Sequence, residues 1–149
     1  MQATPAFQRG NAPAYSPDQV TFNPQSPLVG KKIAFLGSSV TYGFAAKGKP
    51  FVDFLAARDG VRVTKSAISG TTLAGRDPAG YLARLQSDFS SGDHYDLFVC
   101  QLSTNDNRHG TQLGTRPPAA PRTNCACNTT QGASEELCRE IPTTLGCPV

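Results

Sequence analysis

Three short clusters of small polar residues carry the chemistry that this chain could do: Gly37-Ser38-Ser39, Ser69-Gly70-Thr71-Thr72 and Ser103-Thr104-Asn105-Asp106. Acyl transfer needs a nucleophilic hydroxyl and donors aimed at the oxyanion that develops on the attacked carbonyl. A serine at the turn after a strand supplies the hydroxyl and, through its own backbone N–H, one donor. Gly70 lets a second backbone N–H approach with no side chain in the way. The Asn105 amide supplies a third. Each cluster also has a plainer use: a Gly-Ser turn is structural or cradles phosphate, Ser-Gly-Thr-Thr is a loop, and Asn-Asp makes a turn or caps a helix. Their order, each behind its own strand, is more specific than any one of them.

The elements that must position these clusters lie between Lys31 and Asp106. Ile33 to Leu36 is a continuous apolar run suited to burial on both faces of a parallel sheet. Phe51, Phe54, Leu55 and Ala57 give a helical stripe with Pro50 in its first turn and Asp59-Gly60 at its end. Val61 to Ala67 alternates with the period of a strand. Asp77 and Pro78 predict a helix start, and Tyr81, Leu82, Leu85 and Phe89 form the face of that helix. Tyr95 to Leu102 is the third strand. Strand, helix, strand, helix, strand with right-handed crossovers predicts three parallel strands and all three clusters on one edge of the sheet. The expected fold is therefore α/β, a doubly wound, flavodoxin-like three-layer αβα sandwich, and an incomplete one.

Over this stretch the chain resembles the SGNH/GDSL hydrolases, serine esterases and lipases named for a Ser, Gly, Asn and His in four sequence blocks. G-S-S-V-T-Y-G at Gly37 to Gly43 is similar to the first block, which makes Ser39 the nucleophile. A-I-S-G-T-T is similar to the second and puts an oxyanion donor at Gly70; S-T-N-D is similar to the third and makes Asn105 the side-chain donor. Ser38 stands where the family has Asp in G-D-S, and Ser103 where it has Gly in G-x-N-D; neither change removes a catalytic group. The implied activity is hydrolysis of carboxylic esters, with an acylated carbohydrate or a lipid as the small-molecule substrate and no cofactor.

The fourth block, D-x-x-H, supplies the family's base, and a serine without a base is a poor nucleophile at neutral pH. The chain has two histidines. His94 precedes the third strand, at the amino edge, about 20 Å from the site at the rise of a strand. His109 lies on the correct edge, and Asp106 to His109 spells D-x-x-H. Asp106 already belongs to the third block, however, and no strand separates the two. His109 is a candidate base of low expectation, and the chain is expected to be truncated and catalytically impaired. The alternatives are a flavodoxin-like module whose turns hold a phosphate or nucleotide, and an inactive fragment.

Composition divides the chain into three parts. Residues 1–30 read as an extended, Pro- and Asn-rich lead-in anchored at Phe7, Tyr15 and Phe22, residues 31–110 as the partial hydrolase domain, and residues 111–149 as a low-order tail. All 12 aromatic residues lie at or before Phe98, whereas Cys125, Cys127, Cys138 and Cys147 crowd into the tail, where Leu113, Leu137, Ile141, Leu145 and Val149 read as isolated aliphatics. The cysteine spacing matches no zinc ribbon, no metal is expected, and incidental thiols are the favoured reading over a disulfide framework. So sharp a switch is what an out-of-frame reading of a GC-rich gene would produce. The net charge of +3, with five scattered lysines, argues against a nucleic-acid surface. Neither a signal peptide nor a membrane span is evident, so a cytoplasmic location is expected. A sheet lacking its later strands would keep an open edge, a route to self-association.

Overall fold

The run Lys32–Gly37, buried from Ile33 onward, becomes the central strand β1 of a three-stranded sheet. A computed structural model describes residues 11–90, 92–115 and 126–148 of the chain. β2 (Arg62–Ala67) and β3 (Leu97–Cys100) flank β1, and both pair with it in parallel. The fold is α/β, and the three strands end at the same edge because all run the same way.

Burial on both faces explains the sequence of β1. Ile33 and Phe35 point to one face, where they cluster with Val61 and with Val52 of α2 (Phe51–Asp59). Ala34 and Leu36 point to the other, against Phe98 and against Tyr81, Leu82 and Leu85 of α3 (Tyr81–Ser87). Aromatic edges close both sides: Phe35 meets Phe51 with ring centroids 6.0 Å apart, and Phe89 meets Phe98 at 5.0 Å. The short α1 (Ser39–Tyr42) follows β1, and α4 (Asn105–Arg108) follows β3.

The structure corrects three expectations. The helix expected at Pro78 begins at Tyr81, because Asp77 closes a tight turn instead: its carboxylate accepts from Ala79 N–H at 2.7 Å and its carbonyl from Gly80 N–H at 2.8 Å. Of the expected lead-in anchors, Phe7 lies outside the described residues, and Tyr15 and Phe22 are largely exposed. Backbone hydrogen bonds hold this segment instead, Asn23 N–H to Arg58 O at 2.7 Å and Gly30 N–H to Gly60 O at 3.0 Å, with Leu28 packed on the α2 face.

The third correction concerns the tail. Residues expected to be low-order contain α5 (Thr130–Glu140), continued by a wide helical turn over Ile141–Leu145. Ala133, Leu137, Ile141 and Leu145 recur every fourth residue, so they fall on one helix face. All four are buried in the same cluster as Leu36, Leu85 and Phe98. Thr129 caps the helix by accepting from Gly132 N–H at 3.2 Å. After Gly146 the chain passes beside the outer edge of β3, where Phe98 N–H donates to Pro148 O at 2.9 Å. Cys125, the 116–122 stretch and Val149 lie outside the described residues. Among the described residues, no helix is long and apolar enough to cross a membrane.

Candidate active site

Gly37 ends β1 and allows the turn that follows: a Cβ there would lie 2.0 Å from Thr41 Oγ1, so only glycine lets α1 fold back this closely. Ser38 is fully buried, and its hydroxyl lies against the Tyr81 phenol without the geometry of a hydrogen bond. Ser39, one residue on, is half-buried at the first position of α1 and opens onto a cleft. Of the two serines, only Ser39 is within reach of a substrate.

The sequence did not single out the residue that ties this turn to its neighbours. Arg84 of α3 is 2% exposed, with its guanidinium spread between the ends of β1 and β2. Nη2 donates to Gly37 O at 2.9 Å and Thr71 Oγ1 at 3.1 Å, Nη1 to Ser66 Oγ at 2.8 Å, and Nε to Ala79 O at 2.8 Å. The Ser66 hydroxyl in turn donates a hydrogen bond to Asp88 at 2.6 Å. Burial pulls the Arg84 group below its ordinary range, while Tyr81 and Asp88 act in the opposite direction. A guanidinium stays protonated in proteins. A signal for it existed: Arg84 sits three residues after Tyr81 and beside Leu85, a charge on an apolar stripe.

Tyr81 ties in the third strand end. Its hydroxyl donates to Gln101 O at 2.9 Å, and the Gln101 side chain accepts from Thr41 Oγ1 at 3.2 Å. Burial pushes the Tyr81 phenol up, against a smaller downward pull from the Ser38 and Ser103 hydroxyls.

The second and third clusters meet directly. Asn105, at the start of α4 and buried, donates from Nδ2 to Thr71 O at 2.8 Å, next to Gly70. Asp106 accepts from Leu73 N–H at 2.9 Å and Ala74 N–H at 2.8 Å. A buried carboxylate receiving two backbone donors fixes one loop against the other. Gly70 itself is exposed, with φ at +86°, a conformation that suits glycine. An amide carries two hydrogens, and one of those of Asn105 holds the loop.

The first cluster is therefore joined to the second through Arg84, and the second to the third through Asn105 and Asp106. The two histidines are not part of this network. His94 is exposed ahead of β3, and His109 is exposed at the end of α4, its backbone N–H bonded to Asn105 O at 2.9 Å. Among the described residues, no group of three or more His, Cys, Asp or Glu side chains is placed to hold a metal.

No family model matches the chain, and no curated protein matches it. A crystal structure of a structural-genomics protein from Lactobacillus plantarum is similar in fold, with a TM-score of 0.60 and 24% identity over 78% of this chain. The match covers 51% of that protein, so this chain spans about half of its length.

Proposed function

We propose that this chain carries the nucleophile and oxyanion blocks of a serine ester hydrolase of the SGNH/GDSL type. Ser39 attacks the ester carbonyl, and Ser39 N–H, Gly70 N–H and the second Asn105 amide hydrogen receive the oxyanion. The observation that carries the proposal is the hydrogen bond from Asn105 to Thr71 O, which joins the third cluster to the loop of Gly70. The Arg84 bonds to Gly37 O and Thr71 Oγ1 support it by linking that loop to the turn of Ser39. A flavodoxin-like phosphate module would use the first turn and leave the buried Asn105 without a task at a ligand.

His109 is not the base in this proposal, since it lies exposed at the far end of α4. The chain on its own should then acylate slowly and respond to an added base. A fluorophosphonate probe tests this: the expected outcome is one adduct on Ser39, formed faster when imidazole is added. Asn105→Ala should slow the labelling by about a hundredfold, the scale of losing one oxyanion donor. Nucleotide or flavin bound to the purified chain, with no adduct, would favour the phosphate-binding alternative.

A further inference from the structure

Large apolar side chains lie exposed around the carboxyl edge of the sheet: Val40, Tyr42 and Phe44 after β1, Ile68 after β2 and Leu102 after β3. Single exposed apolar residues are ordinary, but a concentration around one edge marks a surface that meets something apolar. After β1, a cleft of about 300 Å³ is lined by Ser39, Val40, Gly43, Phe44, Pro50 and Phe51. Among the described residues, no charged side chain lines it, and the only side-chain hydroxyl in it is that of Ser39. Phe44, 70% exposed, stands at the rim, and Phe51 is held in place from behind by its edge contact with Phe35.

We infer that this cleft seats the acyl chain of the substrate, so that the ester cleaved is one of an unbranched apolar acid of short to medium length. This rests on Ser39 as the nucleophile, and it chooses between the two substrate classes implied by the sequence. A sugar ring would need donors and acceptors along the wall, and the lining offers one hydroxyl. An alkyl chain needs only apolar contact, and the volume lies at the lower end of small-molecule sites.

The test uses probes that cannot be hydrolysed, 4-nitrophenyl butyl, hexyl and octyl ethers, with binding followed by quenching of tyrosine fluorescence. Each added methylene should tighten binding roughly two- to fourfold, as partial to full burial of a methylene gives. Phe44→Asp should weaken octyl ether binding at least tenfold, and Phe44→Leu should largely restore it. Leu113→Asp, at an exposed residue outside the cleft, should leave it unchanged. Binding indifferent to chain length, or unaffected by Phe44→Asp, overturns the inference. The ether series reads the cleft whether or not Ser39 is reactive, so failure of fluorophosphonate labelling would count against the nucleophile alone.

Discussion

The sheet with its three loops and the segment after residue 126 were built from different kinds of sequence, yet both end in one core. The sheet region is dense in apolar runs, and its turns are marked by glycine. The later segment has no aromatic residue, and four residues on one helix face, with Cys127 and Cys147, make its contribution. The difference teaches that sparse apolar content can still be structural when its spacing matches an element.

The sharpest way to break the comparison is to remove that face. Ile141→Ala should cost about 2 to 5 kcal/mol, the range for a buried aliphatic cut back to alanine, and should match the cost of Leu36→Ala in β1. Chemical denaturation monitored by circular dichroism reads both. A loss near zero for Ile141→Ala would make the segment an appendage and restore the low-order expectation.

Next in size is the link between the strand ends. Arg84→Lys keeps the charge, but one ammonium cannot serve Gly37 O, Ser66, Thr71 and Ala79 O from a rigid fork. The expected cost is about 2 to 3 kcal/mol, that of buried acceptors left without donors. Fluorophosphonate labelling should slow further than the same loss of stability from Ile141→Ala would cause, because Arg84 holds the Ser39 turn and Ile141 does not.

The sheet region was legible because its signals are local. The run at Ile33 to Leu36 needed only burial on both faces, and Pro50 with Asp59-Gly60 bounded α2. The three clusters were legible as loops, and the all-parallel sheet puts them on one edge. The four-residue stripe running from α5 into the turn after it was not legible because Glu, Arg, Ser, Thr and Pro fill most positions between, and aliphatics so widely spaced read as isolated. Arg84 was passed over because its partners are backbone carbonyls and hydroxyls distant in sequence, which no spacing rule connects. Asp77 beside Pro78 misled because the same pair closes a turn as readily as it starts a helix.

The smallest expected effect is electrostatic. The Asp88 carboxyl is exposed, and although burial alone would raise it, the Ser66 and Ser87 hydroxyls and the Arg84 charge together hold it below the usual range. A carboxyl depressed in the folded state contributes stability above its unfolded pKa of about 3.9, and that contribution is lost as pH falls through the folded value. Asp88→Asn should therefore lower stability slightly at pH 7, and the gap to the unaltered chain should close below about pH 4. Parallel melting curves from pH 3 to pH 7 read this directly; a gap that widens toward acid would reverse the sign.

Everything functional here turns on Ser39, and the most direct measurement is the site of a fluorophosphonate adduct, located by mass spectrometry of the digested chain with and without imidazole. The expected result is a single adduct on the peptide containing Ser39, accelerated by imidazole and absent from Ser39→Ala. An adduct elsewhere, one that survives Ser39→Ala, or none at all would contradict it.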